Sequence, residues 1–435
     1  MPRSPHKKPL PLLVPTQNHW QIAKLVPGGA GFLRLDNGQS AFAPGALPGE
    51  RIEVELVADH GGYVRATSWR LLEASPDRVE PACPVQSQCG GCDWMTLSYP
   101  AQLAAKVELL RDALTRTGRF TLLPEIAFVA SERALAYRSR IRLHVSQGRL
   151  GFFAAETNEL VEIPGCSVAD PELDAALQVL RSITARHPHE LAAFAELELR
   201  VAPAGPRLAL RLVPAATSNA RSTRLISALE VAFSVTVGER ALGTEHDQRF
   251  PLPGGVELHA PSGAFTQVNW PLNQRLVQAL LDGAARRSVT SFCDLYCGAG
   301  NFSLPLALSG ARGVGIEGSQ PAVAAADLAA RERGLTVRFI SGDVRSAYAG
   351  LHEAEHFDLV VLDPPRSGAR DILPELIRRA PQHVAYCACD PVTLARDLRM
   401  LSEAGYALEE LTGFDMFPQT HHFETLAWLT RAARA

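Results

Sequence analysis

The sequence predicts an α/β protein whose C-terminal part is an open, mostly parallel, Rossmann-like sheet. Three observations carry this. From about Val289 onward, apolar runs of strand length alternate with helical stretches, the βαβ pattern of a sheet buried on both faces. The runs lead into polar residues: Asp294 before Tyr296-Cys297-Gly298-Ala299-Gly300, then Glu317, Asp343, Asp363 and Cys389. Two ends, Asp363-Pro364-Pro365 and Cys389-Asp390-Pro391, are broken sharply by proline, which cannot continue a central strand. Side chains at the carboxyl ends of parallel strands face the crevice where such sheets bind ligands. A sheet built for packing alone would not end on that series of acids and a thiol.

The chain has 435 residues, enough for two or three domains. Its net charge of −3 means that a nucleic-acid partner would have to meet local basic faces. No apolar run approaches the length of a membrane span. Residues 1–17 are Pro-rich and basic and lack the apolar core of a signal peptide, so a disordered lead-in to a cytoplasmic protein is expected. Eight cysteines in such a chain point to metal binding or chemistry rather than to a disulfide framework.

Residues 18–73 alternate in strand fashion around Gly28-Gly29, Asn37-Gly38 and Gly61-Gly62, as expected of a small β-barrel of OB type. Cys83, Cys89 and Cys92 follow in the spacing C-x5-C-x2-C around Gly90-Gly91. Cys166 is the one further cysteine before the αβ region. Four thiolates suit an iron–sulfur cluster or a structural zinc. A radical S-adenosylmethionine cluster would want C-x3-C-x2-C, which is not the spacing here. Tyr99 to Thr117 reads as an amphipathic helix. In Tyr137 to Val145 the period is two, with Arg138, Arg140, Arg142 and His144 on one face; either a phosphate-binding face or a solvated one is expected. Residues 76–262 thus form a central α+β domain, and 263–435 the domain with the strand-end residues.

In that last domain, Gly263 to Asn269 brings Phe265, Gln267 and Asn269 to a turn before a helix beginning near Pro271. The loop after Asp294 has Gly298 and Gly300, but Ser303 stands where a dinucleotide site would have its third glycine. An acid before the loop fits S-adenosylmethionine, which has no pyrophosphate to cradle. Glu317 is placed for ribose hydroxyls and Asp343 for an adenine amino group. Glu424, just before an apolar strand, can be held in the crevice as a base. His421 and His422 read as loop or backbone-bonding residues.

The pieces CPVQSQCGGCDW, AFTQVNW, DLYCGAGNF, LDPPRSG, CACDP and DMFPQTHHFETLAWL resemble, in order, the bacterial RNA 5-methyluridine methyltransferases that use S-adenosylmethionine. The resemblance runs from Cys83 to the end. The barrel looks like the TRAM RNA-binding domain of some members, and barrel plus cysteine set looks like the member acting on 23S ribosomal RNA. It implies that Cys389 is the nucleophile and Glu424 the base. It implies that Gln267, Tyr296, Asn301, Glu317, Asp343 and Asp363 line the cofactor pocket, and that Cys83, Cys89, Cys92 and Cys166 hold a [4Fe–4S] cluster. It further implies a monomer that meets 23S rRNA, free or in a pre-ribosomal particle, away from membranes. Three positions depart from the family pattern: Asp390 where Asn is usual, Asp343 where Asn can stand, and Gln419 where His is often found.

Uracil C5 is a poor nucleophile, and a thiolate added at C6 makes it an enolate carbon able to take a methyl group. A base must then remove the C5 proton, and Asp363 or Gln267 could orient the uracil edge. The same chemistry on another 23S uridine or on tRNA remains open. Adenine-amino methylation at Asp-Pro-Pro would want an aromatic where Arg366 stands and has no use for Cys389. A non-catalytic iron–sulfur RNA-binding assembly factor would not need the strand-end set. If the four cysteines hold a cluster, protein purified without oxygen is expected to be brown, with iron and sulfide in equal amounts. Zinc in place of iron would overturn that reading.

Overall fold

The computed structural model describes residues 12–216, 223–238, 240–242 and 247–432. Two compact units are present. One gathers the chain through Gln86 with Cys92–Leu109 and Gln419–His421; the other holds Ser87–Gly91, Leu110–Pro418 and the chain from His422.

The first unit contains a seven-stranded, largely antiparallel sheet. Its strands His19–Gln21, Lys24–Leu25, Gly31–Arg34, Ser40–Ala43, Arg51–Asp59 and Tyr63–Glu73 follow the alternation of the sequence. Trp20, Ile22, Leu33, Ala41, Ile52, Val54 and Val64 point into one apolar core, while Phe32 and Phe42 pair on the other face with ring centroids 5.5 Å apart. The Asn37-Gly38 hairpin forms, with Gly38 at φ 80°. One expectation fails here. The stretch read as disordered through Gln17 ends in a strand, Leu12–Leu13, which pairs with Val57 and Ala58. The Gln17 side chain also accepts the Asp36 amide at 3.0 Å.

In the second unit, a sheet of seven strands is centred on Arg140–Ser146, Phe194–Val201 and Leu208–Pro214. The period-two reading of the arginine strand is right, but its cations have partners on the next strand. Arg142 lies opposite Glu198 and His144 opposite Glu196. Arg140 and Arg142 approach Glu198 at 3.8 and 3.2 Å. Arg138 precedes the strand and bridges to Ala169. Arg140, Arg142 and His144 on this face are therefore paired with acids of the next strand. The partner strand carries the compensating acids, and a single-strand pattern cannot show that.

The eight-stranded sheet of the same unit holds the strand-end residues. We label its strands β1 (Ile126–Val129), β2 (Ser291–Leu295), β3 (Arg312–Glu317), β4 (Val337–Ser341), β5 (Leu359–Leu362), β6 (His383–Ala388), β7 (Tyr406–Phe414) and β8 (Glu424–Arg431). Their order is β4-β3-β2-β5-β6-β8-β7-β1. Strands β2 to β6 are parallel, and β8 runs antiparallel to β6 and to β7. The edge strand β1 joins in parallel to β7 from far upstream in the chain, a pairing that no local pattern announces. The helices that cover the sheet include α1 (Trp270–Arg286), α2 (Ser303–Leu308), α3 (Gln320–Glu332), α4 (Val344–Ala349), α5 (Leu373–Arg379) and α6 (Pro391–Glu403). Among the described residues no helix is long and apolar enough to cross a membrane.

Helix α1 lies against β8 through Gly283. A Cβ there would stand 2.4 Å from Cε2 of Trp428, a fully buried indole with the Arg287 guanidinium 4.4 Å from its ring centroid. Gly283→Ala therefore sets two effects against each other. Helix propensity favours alanine by about 1 kcal/mol, and overlap with a buried ring costs about 1–3 kcal/mol. A net loss of stability is expected in urea unfolding. A gain would mean that α1 can move away from Trp428 at little cost.

Candidate active site

The site arises at the carboxyl ends of three adjacent strands. Leu362 on β5 pairs with Tyr386 on β6, and Ala388 on β6 pairs with Thr425 on β8. The next residues along, Asp363 and Cys389, and Glu424 at the start of β8, therefore meet at one rim. Cys387, one pleat back on the same face as Cys389, donates its Sγ–H to Glu424 Oε2 at 3.9 Å. One polar atom from each of Asp363, Cys387 and Glu424 lies within 4.8 Å of the others. Cys387 is sealed from solvent, whereas Cys389 is half-buried and reachable. The turn after Cys389 is built by Asp390, whose carboxylate caps α6 by accepting the Thr393 amide at 2.7 Å, with Pro391 in the first helical turn. Asn caps as well as Asp does, so the departure at Asp390 leaves the turn intact.

Desolvation dominates the electrostatics here. Burial drives the Asp363 carboxyl up to about 7. Glu424 is raised well above the usual carboxylate range, by burial first and then by the charge of Asp363. The Cys389 thiol is pushed up to about 12, again by burial first and then by Glu424, while the Arg366 cation pulls it back down. Arg366 stands in the Pro-Pro-Arg turn, 3.4 Å from His422 Nε2. That turn is anchored from below: Asp397 accepts the Ala369 amide at 2.8 Å and the Tyr386 hydroxyl at 2.7 Å.

Of the other predicted residues, Tyr296 and Asn301 follow β2, Glu317 ends β3, Asp343 follows β4 and Gln267 precedes α1. Tyr296 takes φ 66°, a left-handed conformation costly for a non-glycine residue and concentrated at functional sites. Glu317 has both carboxylate oxygens held by backbone, Oε2 by the Gly298 amide at 3.1 Å and Oε1 by the Ser319 amide at 2.8 Å. Asn301 exchanges side-chain hydrogen bonds with Asn273 on α1 at 2.8 and 3.1 Å, a partner that motif reading missed. Gln267 is buried and, among the described residues, its Oε1 has no hydrogen-bond partner, so this oxygen is left for a ligand. Asp343 is exposed and caps α4, taking the Ser346 amide at 2.9 Å; the Ser346 contacts hold its carboxyl below the ordinary range. Ser303, at the missing glycine, donates to buried Asp294 at 2.5 Å, and burial raises that acid to about 7. Cys293 and Cys297 are packed in the interior.

Cys83, Cys89, Cys92 and Cys166 are all half-buried. Cys89 bridges to Ala154, and a Cβ on Gly90 would meet Ala155 backbone at 2.9 Å. Close approach there requires glycine. The Cys166 amide is held by Asp174 at 2.7 Å. His421, read as a loop or backbone-bonding residue, lies outside any helix or strand and sets Nδ1 2.5 Å from the Asp93 carboxylate.

The profile of the tRNA (Uracil-5-)-methyltransferase family matches residues 256–432. A protein of Shewanella amazonensis named 23S rRNA (uracil(1939)-C(5))-methyltransferase RlmD is 36% identical over 92% of this chain and 92% of its own length. One of the same name from Aeromonas hydrophila is 33% identical over 91% of this chain and 92% of its own. The chain belongs to the RNA uracil-C5 methyltransferase family, in its RlmD-type branch. The crystal structure of a Pyrococcus abyssi tRNA (uracil-54, C5)-methyltransferase bound to S-adenosyl-L-homocysteine has the same fold. Its TM-score is 0.75 at 24% identity, covering 96% of this chain and all of that one.

In this family member the Arg366 cation eases ionisation of Cys389 against burial. Arg366→Met removes that charge, so the thiol ionises at higher pH. Alkylation of Cys389 by iodoacetamide, followed by peptide mass spectrometry, is expected to shift to higher pH in the variant. An unchanged profile would remove Arg366 from the activation of the thiol.

Proposed function

We infer that the protein transfers a methyl group from S-adenosylmethionine to C5 of a uridine in 23S rRNA. The observation that carries this reading is the meeting of Cys389, Asp363 and Glu424 on three adjacent strand ends. The names of relatives alike over more than nine-tenths of this chain support the substrate. The target base leaves its stack to enter the crevice. Cys389 ionises and its sulfur bonds to C6; the C5–C6 π pair moves toward C4, leaving an enolate. C5 then takes the methyl group from the sulfonium and S-adenosylhomocysteine departs. Glu424 removes the C5 proton, the electrons of that C–H bond re-form C5–C6, and the C6–S pair returns to Cys389.

Glu317, Tyr296 and Asn301 bind the methyl donor, with Asp343 at its adenine and Gln267 and Asp363 toward the reacting groups. Exposed Phe265, with Arg140 5.2 Å from its ring centroid, offers a stacking surface for RNA. The barrel at 18–73 is a TRAM-type RNA-binding module, 76–262 the central domain and 263–435 the catalytic one. Cys83, Cys89, Cys92 and Cys166 hold a [4Fe–4S] cluster. Their soft all-thiol donor set and the glycine-permitted close packing at Gly90 fit that group. The cluster would tie distant stretches of chain together, and no step of the reaction passes through it. The enzyme works as a cytoplasmic monomer.

The two central residues make opposite predictions. Cys389→Ala is expected to give no methylation and no covalent complex with RNA. Glu424→Gln is expected to slow turnover about 10²–10⁴-fold, the range for a lost general base, and to leave a protein–RNA band on a denaturing gel when S-adenosylmethionine is supplied. Normal turnover by Glu424→Gln would assign the base elsewhere. Mapping the 5-methyluridine lost on deleting the gene separates 23S rRNA from tRNA as substrate.

A further inference from the structure

Cys387 has no part in the reaction as described, yet it occupies the centre of the site. Its strand β6 lies between β5, which delivers Asp363, and β8, which begins with Glu424. Its thiol is fully buried and donates to Glu424 Oε2 at 3.9 Å, and its sulfur lies within 4.8 Å of a carboxyl oxygen of each acid. A residue there could pack as well with an aliphatic side chain. A thiol differs from one in having a weak donor, and here that donor is aimed at the carboxyl group of the base.

We propose that Cys387 is a positioning residue: its S–H holds the Glu424 carboxyl apart from Asp363 and turned toward the C5 proton, for the step that resolves the covalent adduct. This rests on the reading of Glu424 as the base. The groups facing the Glu424 carboxyl are Asp363 from β5, Cys387 and Cys389 from β6, and Arg366 from the turn after β5. Burial and then Asp363 raise the proton affinity of Glu424, whereas Arg366 and the Cys387 donor lower it; the same thiol also lowers that of Asp363. Loss of the thiol therefore has two consequences. The carboxyl group can swing toward Asp363, and it stays protonated to a higher pH.

The test uses the full protein with Cys387→Ala and Cys387→Ser, following adduct formation and adduct release separately in single-turnover gels. In Cys387→Ala, formation is expected at the wild-type rate and release about ten- to a hundredfold slower, the scale of a misplaced catalytic group. The rising limb of release against pH moves to higher pH. Cys387→Ser, which keeps a donor, is expected to restore most of the release rate and the original limb. Wild-type release and an unmoved limb in Cys387→Ala would overturn the proposal. So would a parallel fall of formation and release in both variants, accompanied by a lower melting temperature, because that is a packing defect. Glu424→Gln run alongside separates the two layers. If it fails to trap an adduct, the base assignment falls; if it traps one while Cys387→Ala behaves as wild type, the role of Cys387 alone falls.

Discussion

The register between β5, β6 and β8 is the constraint on which the site depends. A shift of one residue in any of these strands would turn its side chains to the opposite face and remove Asp363, Cys389 or Glu424 from the rim. Register of this kind is held by burial, and all three strands are apolar along most of their length, with Val360, Val361, Val384, Ala385, Leu426 and Leu429 inside the sheet. The sharp turns then decide where each strand stops. Asp390 caps α6, and the Asp397–Tyr386–Ala369 bonds hold the turn that carries Arg366. The supports of the site are thus continuous with the core of the sheet.

The same burial that fixes the strands makes the chemistry demanding. Cys389 would react as a thiolate, yet its surroundings favour the thiol. Glu424 would act as a carboxylate, yet it is held toward the acid form. Groups whose ionisation is opposed by burial depend on neighbouring charge to reach their reactive form, and such perturbed groups concentrate at functional sites. Arg366 is the cation that tempers this, and it occupies the position after Pro-Pro at which an adenine-modifying site would have an aromatic. One side chain therefore separates two uses of the same Asp-Pro-Pro turn.

Much of this was legible in the sequence, and for a physical reason. Parallel strands buried on both faces leave continuous apolar runs, and their polar terminal residues stand out against such runs; Asp363, Glu317 and Cys389 were found that way. The hairpin at Asn37-Gly38 was legible because the turn needs positive φ. What escaped reading were pairings between distant segments. The edge strand at 126–129 has no local signal for its place beside β7. Glu196 and Glu198, which neutralise Arg140 and Arg142, sit on a strand more than fifty residues later in the chain. Asn273 meets Asn301 through the packing of α1, and a helix periodicity shows only which face is buried.

Two acids so close impose an order on the proton movements. Asp363 and Glu424 have carboxyl oxygens within 4.8 Å of each other, and burial followed by the charge of Asp363 raises the proton affinity of Glu424; two such groups resist ionising together. In the roles assigned here, Glu424 must be ionised when it takes the C5 proton late in the cycle. The proton that leaves Cys389 early cannot stay on Glu424 without blocking that step. It must pass to solvent or to another group before the methyl group is in place, so the two proton movements of the cycle cannot share one carboxyl group.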